Sequence, residues 1–198
     1  MPWLLIAGAG FLALLFSNQA SAVSLGESKV KKRLFNLPDI EPENQGGSWS
    51  TDYDLFFEQT ANDSGIPFAL LKAHAIMESS LKPRAFRDEN PSKRADRTGW
   101  ASRGLMQILW WPGSERFKKY GYEDADLENG EAMFDPHVNI DIASQIIRAN
   151  LETCDGNLRD AINMYNTGKK ESQFKAPYDY VDRVMNNYKT LIKKEVIS

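Results

Sequence analysis

The sequence predicts a mainly α-helical fold, with one globular domain preceded by an apolar N-terminal segment and a polar linker. Apolar residues at helical spacing, flanked by capping residues, recur from about residue 50 onward, whereas strand-type alternation is scarce. The chain has 198 residues, of which 42% are hydrophobic, and this is enough to build one domain with its own core.

Residues 1–23 form the first predicted unit, a signal-like or membrane-active segment. The run from Pro2 to Phe16 carries no charge, and Ala20 to Ala22 has the small-x-small form of a signal cleavage site. No Lys or Arg precedes the run, and a basic cluster from Lys29 to Arg33 follows it, which opposes export by the positive-inside rule. We expect residues 2–23 to contact a membrane, and the sequence leaves their cleavage open.

Residues 24–49 form the second predicted unit, a polar linker or arm. This stretch contains Pro38, Pro42 and the pair Gly46-Gly47, which do not suit a core element. The third unit, residues 50–198, is the predicted helical domain.

Capping residues and prolines predict where the first helices of this domain begin and end. We expect Ser50 or Thr51 to cap the first helix. Pro67 stands at a first-turn position of the second helix, which ends ahead of Pro83. Any small sheet is expected within residues 84–103.

Three further helices are expected in the second half of the chain. Asp135, followed by a proline, caps the first of these, and Gly156 stops it. The next helix starts at Asn157 and ends at Gly168. The last helix has a buried stripe of apolar residues at helical spacing, namely Val181, Val184, Tyr188 and Leu191.

Charge and cysteine content exclude several classes of function. The net charge is −3 and no strongly basic stretch lies in the domain, so nucleic acid is not an expected partner. The single cysteine, Cys154, forms no intrachain disulfide and is expected to be a small packing residue. His74 and His137 are the only histidines, and with one cysteine they do not complete a four-ligand zinc site, so we expect no metal.

Glu78 ends a segment, Phe68 to Met77, in which only Lys72 and His74 are polar. A carboxylate at the end of such an apolar helix either has a partner or carries a raised pKa. On this segment alone, a paired or exposed glutamate remains the simpler interpretation.

Four further stretches change that interpretation when they are read together with Glu78-Ser79. In chain order they are Gly104-Leu105-Met106-Gln107, Asn139-Ile140, Tyr165-Asn166 with Gly168, and Tyr180. In this order they resemble the lytic transglycosylase family of the soluble type, which has a lysozyme-like fold. The resemblance covers roughly residues 56–188 and implies an α+β lysozyme-like catalytic domain.

The resemblance implies a peptidoglycan-cleaving enzyme that needs no cofactor. Glu78 would be the single catalytic acid and base, and the product would carry 1,6-anhydromuramyl ends. The stripe Leu71, Ala75 and Glu78 places the carboxyl on an apolar surface, which raises a carboxyl pKa. The residues expected to bind the glycan strand are Ser79, Ser102, Met106, Gln107, Tyr165, Asn166 and Tyr180.

Several features depart from the family pattern and leave alternatives open. Met164 replaces the usual alanine, and a charged loop lengthens the segment before Gly104. Goose-type lysozymes have acidic residues around the block that corresponds to Gly104–Gln107, whereas here Leu109 follows it. This difference favours the transglycosylase over a goose-type-like muramidase. Asp88 and Asp96 remain candidates for holding a water, and His74, at i−4 from Glu78, is expected to have a structural or tuning role.

The place of action expected from these features is the bacterial cell envelope, either periplasmic or membrane-associated. The unusual N-terminus suggests a phage virion protein that opens the wall during genome entry, and virion proteins would then be partners. A cellular envelope enzyme is an equally weighted alternative. A catalytically silent peptidoglycan-binding or structural module is the non-enzyme alternative, and the intact Glu78, Gln107 and Tyr165 argue against it.

Overall fold

The computed structural model describes residues 49–90, 92–123 and 128–197, and in these ranges the chain is mostly helical. The α-helices are α1 (Asp54–Ser64), α2 (Phe68–Ser79), α3 (Pro136–Thr153), α4 (Leu158–Thr167) and α5 (Tyr180–Ile197). One small sheet contains β1 (Phe86–Asp88), β2 (Ala101–Arg103) and β3 (Ile108–Trp110). The predicted mainly α class with a lysozyme-like α+β architecture is confirmed. The apolar segment and nearly all of the linker, residues 1–48, lie outside the described residues.

The helix ends in the second half of the domain agree with the sequence signals. The Asp135 side chain accepts hydrogen bonds from the backbone N–H groups of His137 and Val138 at the start of α3. Asn157 caps α4 in the same way. Gly168 follows α4 in the left-handed conformation, where a residue without Cβ has no steric penalty.

The predicted starts of the first two helices need correction. Helix α1 begins at Asp54, and neither Ser50 nor Thr51 caps it, because the Ser50 hydroxyl accepts its bond from Asp52 in the turn before the helix. Pro67 precedes α2 instead of lying in its first turn.

The sheet extends beyond the predicted range of residues 84–103. Strand β2 pairs antiparallel with β1 on one side and with β3 on the other. The Gly104-Leu105-Met106-Gln107 block is therefore the turn between β2 and β3. Strands of three residues are too short to show an alternating pattern, and this is why β3 was not predicted.

The core lies between the helices, with α2 against α5, α1 against α3, and α3 against α4. The predicted stripe of α5 is buried throughout, at Val181, Val184, Tyr188 and Leu191. Lys72, on the otherwise apolar α2, is buried and pairs with Asp54 of α1 at 2.5 Å. Cys154 is a buried free thiol, as expected of a packing residue.

Within the described part of the chain, no helix combines the length and the apolar character that crossing a membrane requires.

Candidate active site

Glu78 lies in the last turn of α2, at the wall of a cavity of about 310 Å³. Ser80 and Leu81 follow in the left-handed conformation and end the helix, so Glu78 stays at its C-terminal edge. Besides Glu78 itself, the cavity is lined by Met77, Arg87, Asn166, Pro177, Tyr178 and Tyr180.

Tyr180, the first residue of α5, holds the Glu78 carboxyl directly. Its hydroxyl donates to Oε1 of Glu78 over 2.5 Å, and its side chain is otherwise buried. The same hydroxyl oxygen lies 3.3 Å from Nδ1 of His74, one helical turn before Glu78 on α2. His74 therefore reaches Glu78 through Tyr180. The packing of α2 against α5 brings these three groups together.

The environment of Glu78 favours its protonated form. Burial raises its pKa from 4.5 to about 7, against opposing effects of the Tyr180 hydrogen bond and the positive charge of Arg87. The negative charge of Glu89 raises the pKa further. A carboxyl with this pKa is available as an acid near neutral pH and can act as a base once it has lost its proton.

The turn between β2 and β3 is fixed by a buried amide, that of Asn139 on α3. Its Oδ1 accepts from the Met106 backbone N–H over 2.7 Å, and its Nδ2 donates to the carbonyls of Arg103 and Met133. Gly104 has a φ of +79°, and a Cβ there would lie 2.2 Å from the Met133 carbonyl oxygen. Only glycine therefore fits at position 104 of this turn.

Tyr165, on α4, connects this turn to the acid. Its hydroxyl donates to the Met106 carbonyl over 2.8 Å. The Glu78 charge is close enough to raise the pKa of Tyr165, in addition to the larger effect of burial. Asn166 is exposed and lines both the Glu78 cavity and a second cavity of about 530 Å³, which Tyr165 also lines.

The structure puts three of the expected glycan-binding side chains away from the cavity surface. Met106 is fully buried, and its backbone groups bond Asn139 and Tyr165. Ser79 is buried, and its hydroxyl donates to the Ala75 carbonyl, one turn earlier in α2. Ser102 is 2% exposed.

Gln107 is half-buried, and its amide nitrogen bonds the Ala85 and Gly104 carbonyls.

Glu89 is a second carboxylate near Glu78 that the sequence did not single out. Its Oε1 accepts from the Ser102 hydroxyl over 2.5 Å and from Arg87 over 2.7 Å. The two acidic residues considered from the sequence are exposed and engaged elsewhere, Asp88 with the Asn90 backbone and Asp96 with Arg94. Neither is among the groups that shift the pKa of Glu78.

Two further residues shape the site without a signal in the sequence. Tyr178 is 83% exposed beside the Glu78 cavity, and it and Asp179 have left-handed backbone conformations just before α5. Asn163 is fully buried and organises the loop between α4 and α5, donating to the Lys169 and Phe174 carbonyls and accepting from Ala176.

Among the described residues, no group of three or more His, Cys, Asp and Glu side chains is placed to hold a metal ion.

The chain matches a known protein family. The family model described as "Transglycosylase SLT domain" matches residues 55–184, which is more than half of the chain and includes Glu78 and all the stretches discussed above. No curated protein and no solved structure matches the chain.

Proposed function

The chain belongs to the transglycosylase SLT domain family, the lytic transglycosylases that act on peptidoglycan, and we propose that Glu78 is its catalytic acid and base. The observation that carries this proposal is the setting of Glu78. It is the carboxyl in the cavity between α2 and α5, it is held by Tyr180, and burial raises its pKa to about 7.

The proposed reaction cleaves the β-1,4 bond between N-acetylmuramic acid and N-acetylglucosamine in two steps. Glu78 first gives its proton to the glycosidic oxygen, so that the bond to C1 of the muramic residue breaks and the N-acetylglucosamine hydroxyl leaves. The substrate's own N-acetyl group stabilises the positive charge at C1. The Glu78 carboxylate then takes the proton of the muramic 6-hydroxyl, whose oxygen bonds C1, and the 1,6-anhydro end forms. Glu78 ends protonated as it began, and no water is consumed.

The glycan strand is proposed to lie across the two cavities that Asn166 joins. Asn166 borders both cavities, Tyr165 borders the second cavity, and the exposed Tyr178 ring borders the Glu78 cavity. Tyr180 supports the acid, and Gln107 supports the turn beside Tyr165. Ser79, Ser102 and Met106 are proposed to act through packing and hydrogen bonds behind this surface.

The proposal is tested with Glu78→Gln, which keeps the side-chain shape and removes the acid. Clearance of purified peptidoglycan sacculi should fall by at least about 100-fold, the usual contribution of a general acid. Glu58→Gln, at an exposed position of α1, is the matched control and should stay fully active. Retained activity in a folded Glu78→Gln protein would refute the assignment.

A second candidate, hydrolysis in the manner of a goose-type muramidase, gains a specific observation from Glu89. Its carboxylate is near enough to influence Glu78, and a second carboxylate is what most glycosidases use to position water or a nucleophile. Glu89 is already held by Ser102 and Arg87, which favours a supporting role and the transglycosylase outcome. Mass spectrometry of the released muropeptides separates the two, because hydrolysis leaves reducing ends and the transglycosylase leaves anhydro ends.

The proposed place of action is the bacterial envelope, with delivery from a phage virion favoured over ordinary export. The support is the basic cluster from Lys29 to Arg33, which follows the apolar run and opposes export of the chain behind it. If this is right, protein from its natural source retains Met1 to Ala22. An intact mass that begins at Val23 would instead identify conventional secretion.

A further inference from the structure

We propose that His74 is a positioning residue that fixes the direction of the Tyr180 hydroxyl proton, and thereby decides which oxygen of Glu78 carries the acid proton. This inference rests on the proposed role of Glu78 as the acid. It gives His74 a function in the site although the His74 side chain is fully buried behind the cavity wall.

His74 is placed for this role by contacts with two tyrosines. Its side chain is fully buried, and its ring packs against the Tyr165 ring with centroids 4.8 Å apart. Its Nδ1 faces the Tyr180 hydroxyl at 3.3 Å, whereas Nε2 has no hydrogen-bond partner among the described residues. The ring thus presents one working nitrogen, and that nitrogen meets the group that holds Glu78.

Proton counting determines what the working nitrogen does. Tyr180 has one hydroxyl proton and directs it at Oε1 of Glu78, so its oxygen is left to accept a hydrogen bond from His74. Burial lowers the pKa of His74 to about 3, so the ring is neutral near pH 7 and carries a single N–H. That N–H must lie on Nδ1 if the chain from His74 through Tyr180 to Glu78 is to be complete.

The alternative arrangement of the two protons is less favourable. With its N–H on Nε2, His74 would bury a donor without an acceptor among the described residues. Its bare Nδ1 would also compete with Glu78 for the Tyr180 proton. The first arrangement leaves an unpaired ring nitrogen lone pair instead, which is the milder of the two penalties.

The consequence for catalysis is a choice between the two oxygens of Glu78. With His74 donating to Tyr180, the Tyr180 hydroxyl donates to Oε1 of Glu78, and the acid proton of Glu78 is carried on Oε2, where it is free for the glycosidic oxygen. Without His74, the Tyr180 hydroxyl can rotate, and a protonated Glu78 can donate its hydrogen bond to the Tyr180 oxygen instead of to the substrate. The charged groups that also act on Glu78, Arg87 and Glu89, lie on the sheet side and do not supply this orientation.

The test compares His74→Leu, which introduces an apolar side chain of similar size without hydrogen-bonding groups, with His74→Asn, whose amide N–H stands near the position of Nδ1. We expect His74→Leu to lower kcat on soluble glycan strands by about tenfold, a part of what general acid catalysis contributes, with little change in KM. The pH at which kcat/KM falls should move upward, because the Tyr180 hydrogen bond lowers the pKa of Glu78 and is weakened in this variant. His74→Asn should restore most of kcat and the original pH profile even if it is less stable.

The Tyr180→Phe background provides the decisive control. Without the hydroxyl there is nothing for His74 to orient, so adding His74→Leu should change neither kcat nor the pH profile further. Three results would show that His74 is a packing residue and that the proposal is wrong. His74→Leu could keep the parent kcat and pH profile, or both His74 variants could lose activity in proportion to their loss of stability. The third such result is that the losses from His74→Leu and Tyr180→Phe add in the double variant. Glu78→Gln is measured alongside, since activity there would overturn the proposed function itself, whatever His74 does.

Discussion

Glu78→Gln should stabilise the protein at alkaline pH while removing its activity. The pKa of Glu78 is raised from 4.5 to about 7 in the folded state. The folded protein therefore binds more protons than the unfolded chain between these two pH values, and its free energy of unfolding falls as pH rises through this window. The stability associated with protonated Glu78 is fully present below pH 4.5 and is lost once the pH exceeds about 7.

The size of the effect follows from the two pKa values. At about 1.4 kcal/mol for each tenfold change in the ionisation constant, ionised Glu78 costs the fold about 3 kcal/mol relative to its protonated form. Glutamine stays neutral and avoids this cost. The free energy of unfolding of the variant, relative to that of the parent, should therefore be about 3 kcal/mol higher at pH 8.5 than at pH 4.5. This is a large share of the stability of a domain of this size.

The measurement is urea unfolding of both proteins, followed by tryptophan fluorescence, at several pH values from 4.5 to 8.5. The difference between the two proteins is needed because His74 acts in the opposite direction. Its pKa is lowered to about 3, so its contribution is present above pH 6.5 and is lost as the pH falls. Both proteins contain His74, so its effect cancels. A difference that is the same at every pH would mean that Glu78 has an ordinary pKa and is a poor acid near neutrality.

Three further predictions concern the walls of the site and the arm. Asn139→Leu removes three hydrogen bonds and leaves buried backbone groups unpaired, so it should lower the midpoint of thermal unfolding and the activity together; an unchanged midpoint would contradict the anchoring role. Tyr178→Ala, at an 83% exposed position, should leave the unfolding midpoint unchanged and raise KM for glycan strands, and an unchanged KM would remove Tyr178 from the binding surface. A chain that starts at Ser48 should be soluble and fully active on sacculi, whereas an inactive one would show that residues 23–47 pack against the domain.

The helices were predictable from the sequence because their signals are local. Asp135, Asn157 and Gly168 act on backbone groups within one turn, so their effect can be read from a few neighbouring residues. The first helix was displaced because Ser50 forms a competing turn. Strand β3 was missed because its three residues are defined by pairing with β2, which is a tertiary property.

The residues of the candidate site that belong to a sequence motif could be predicted. The charged residues that pair with each other beside the site could not. Glu78 and Tyr180 stand at recognisable positions, and the structure brings them into contact. Glu89 and Arg87 lie in a charged stretch that is indistinguishable, in sequence, from a solvated loop. Their importance arises from the fold, which turns the stretch beside Glu78 toward the cavity. Motif position also does not reveal burial, and Met106 is the example.

The surroundings of Glu78 allow its pKa to be moved in either direction by single substitutions. Glu78 stands at the C-terminal end of α2, where the helix dipole also disfavours a negative charge. The lowering effect of Arg87 and the raising effect of Glu89 come from two side chains that pair with each other at 2.7 Å. Removing one of these charges therefore leaves the other to act on the pKa of Glu78 without the opposing effect of its partner.

In the proposed mechanism Glu78 starts protonated, so kcat/KM should fall about tenfold per pH unit above a midpoint near 7, set by the raised pKa. Arg87→Gln should move this midpoint to higher pH, since it removes a positive charge and exposes the Glu89 charge. Glu89→Gln should move it to lower pH for the converse reason, and both shifts should shrink in high salt because Arg87 is largely exposed. Asp88→Asn, on the same strand as Arg87 but not among the groups acting on Glu78, is the matched control and should leave the midpoint in place. If the Arg87 and Glu89 variants shift the midpoint in the same direction, or not at all, the group that controls the reaction is not the carboxyl of Glu78.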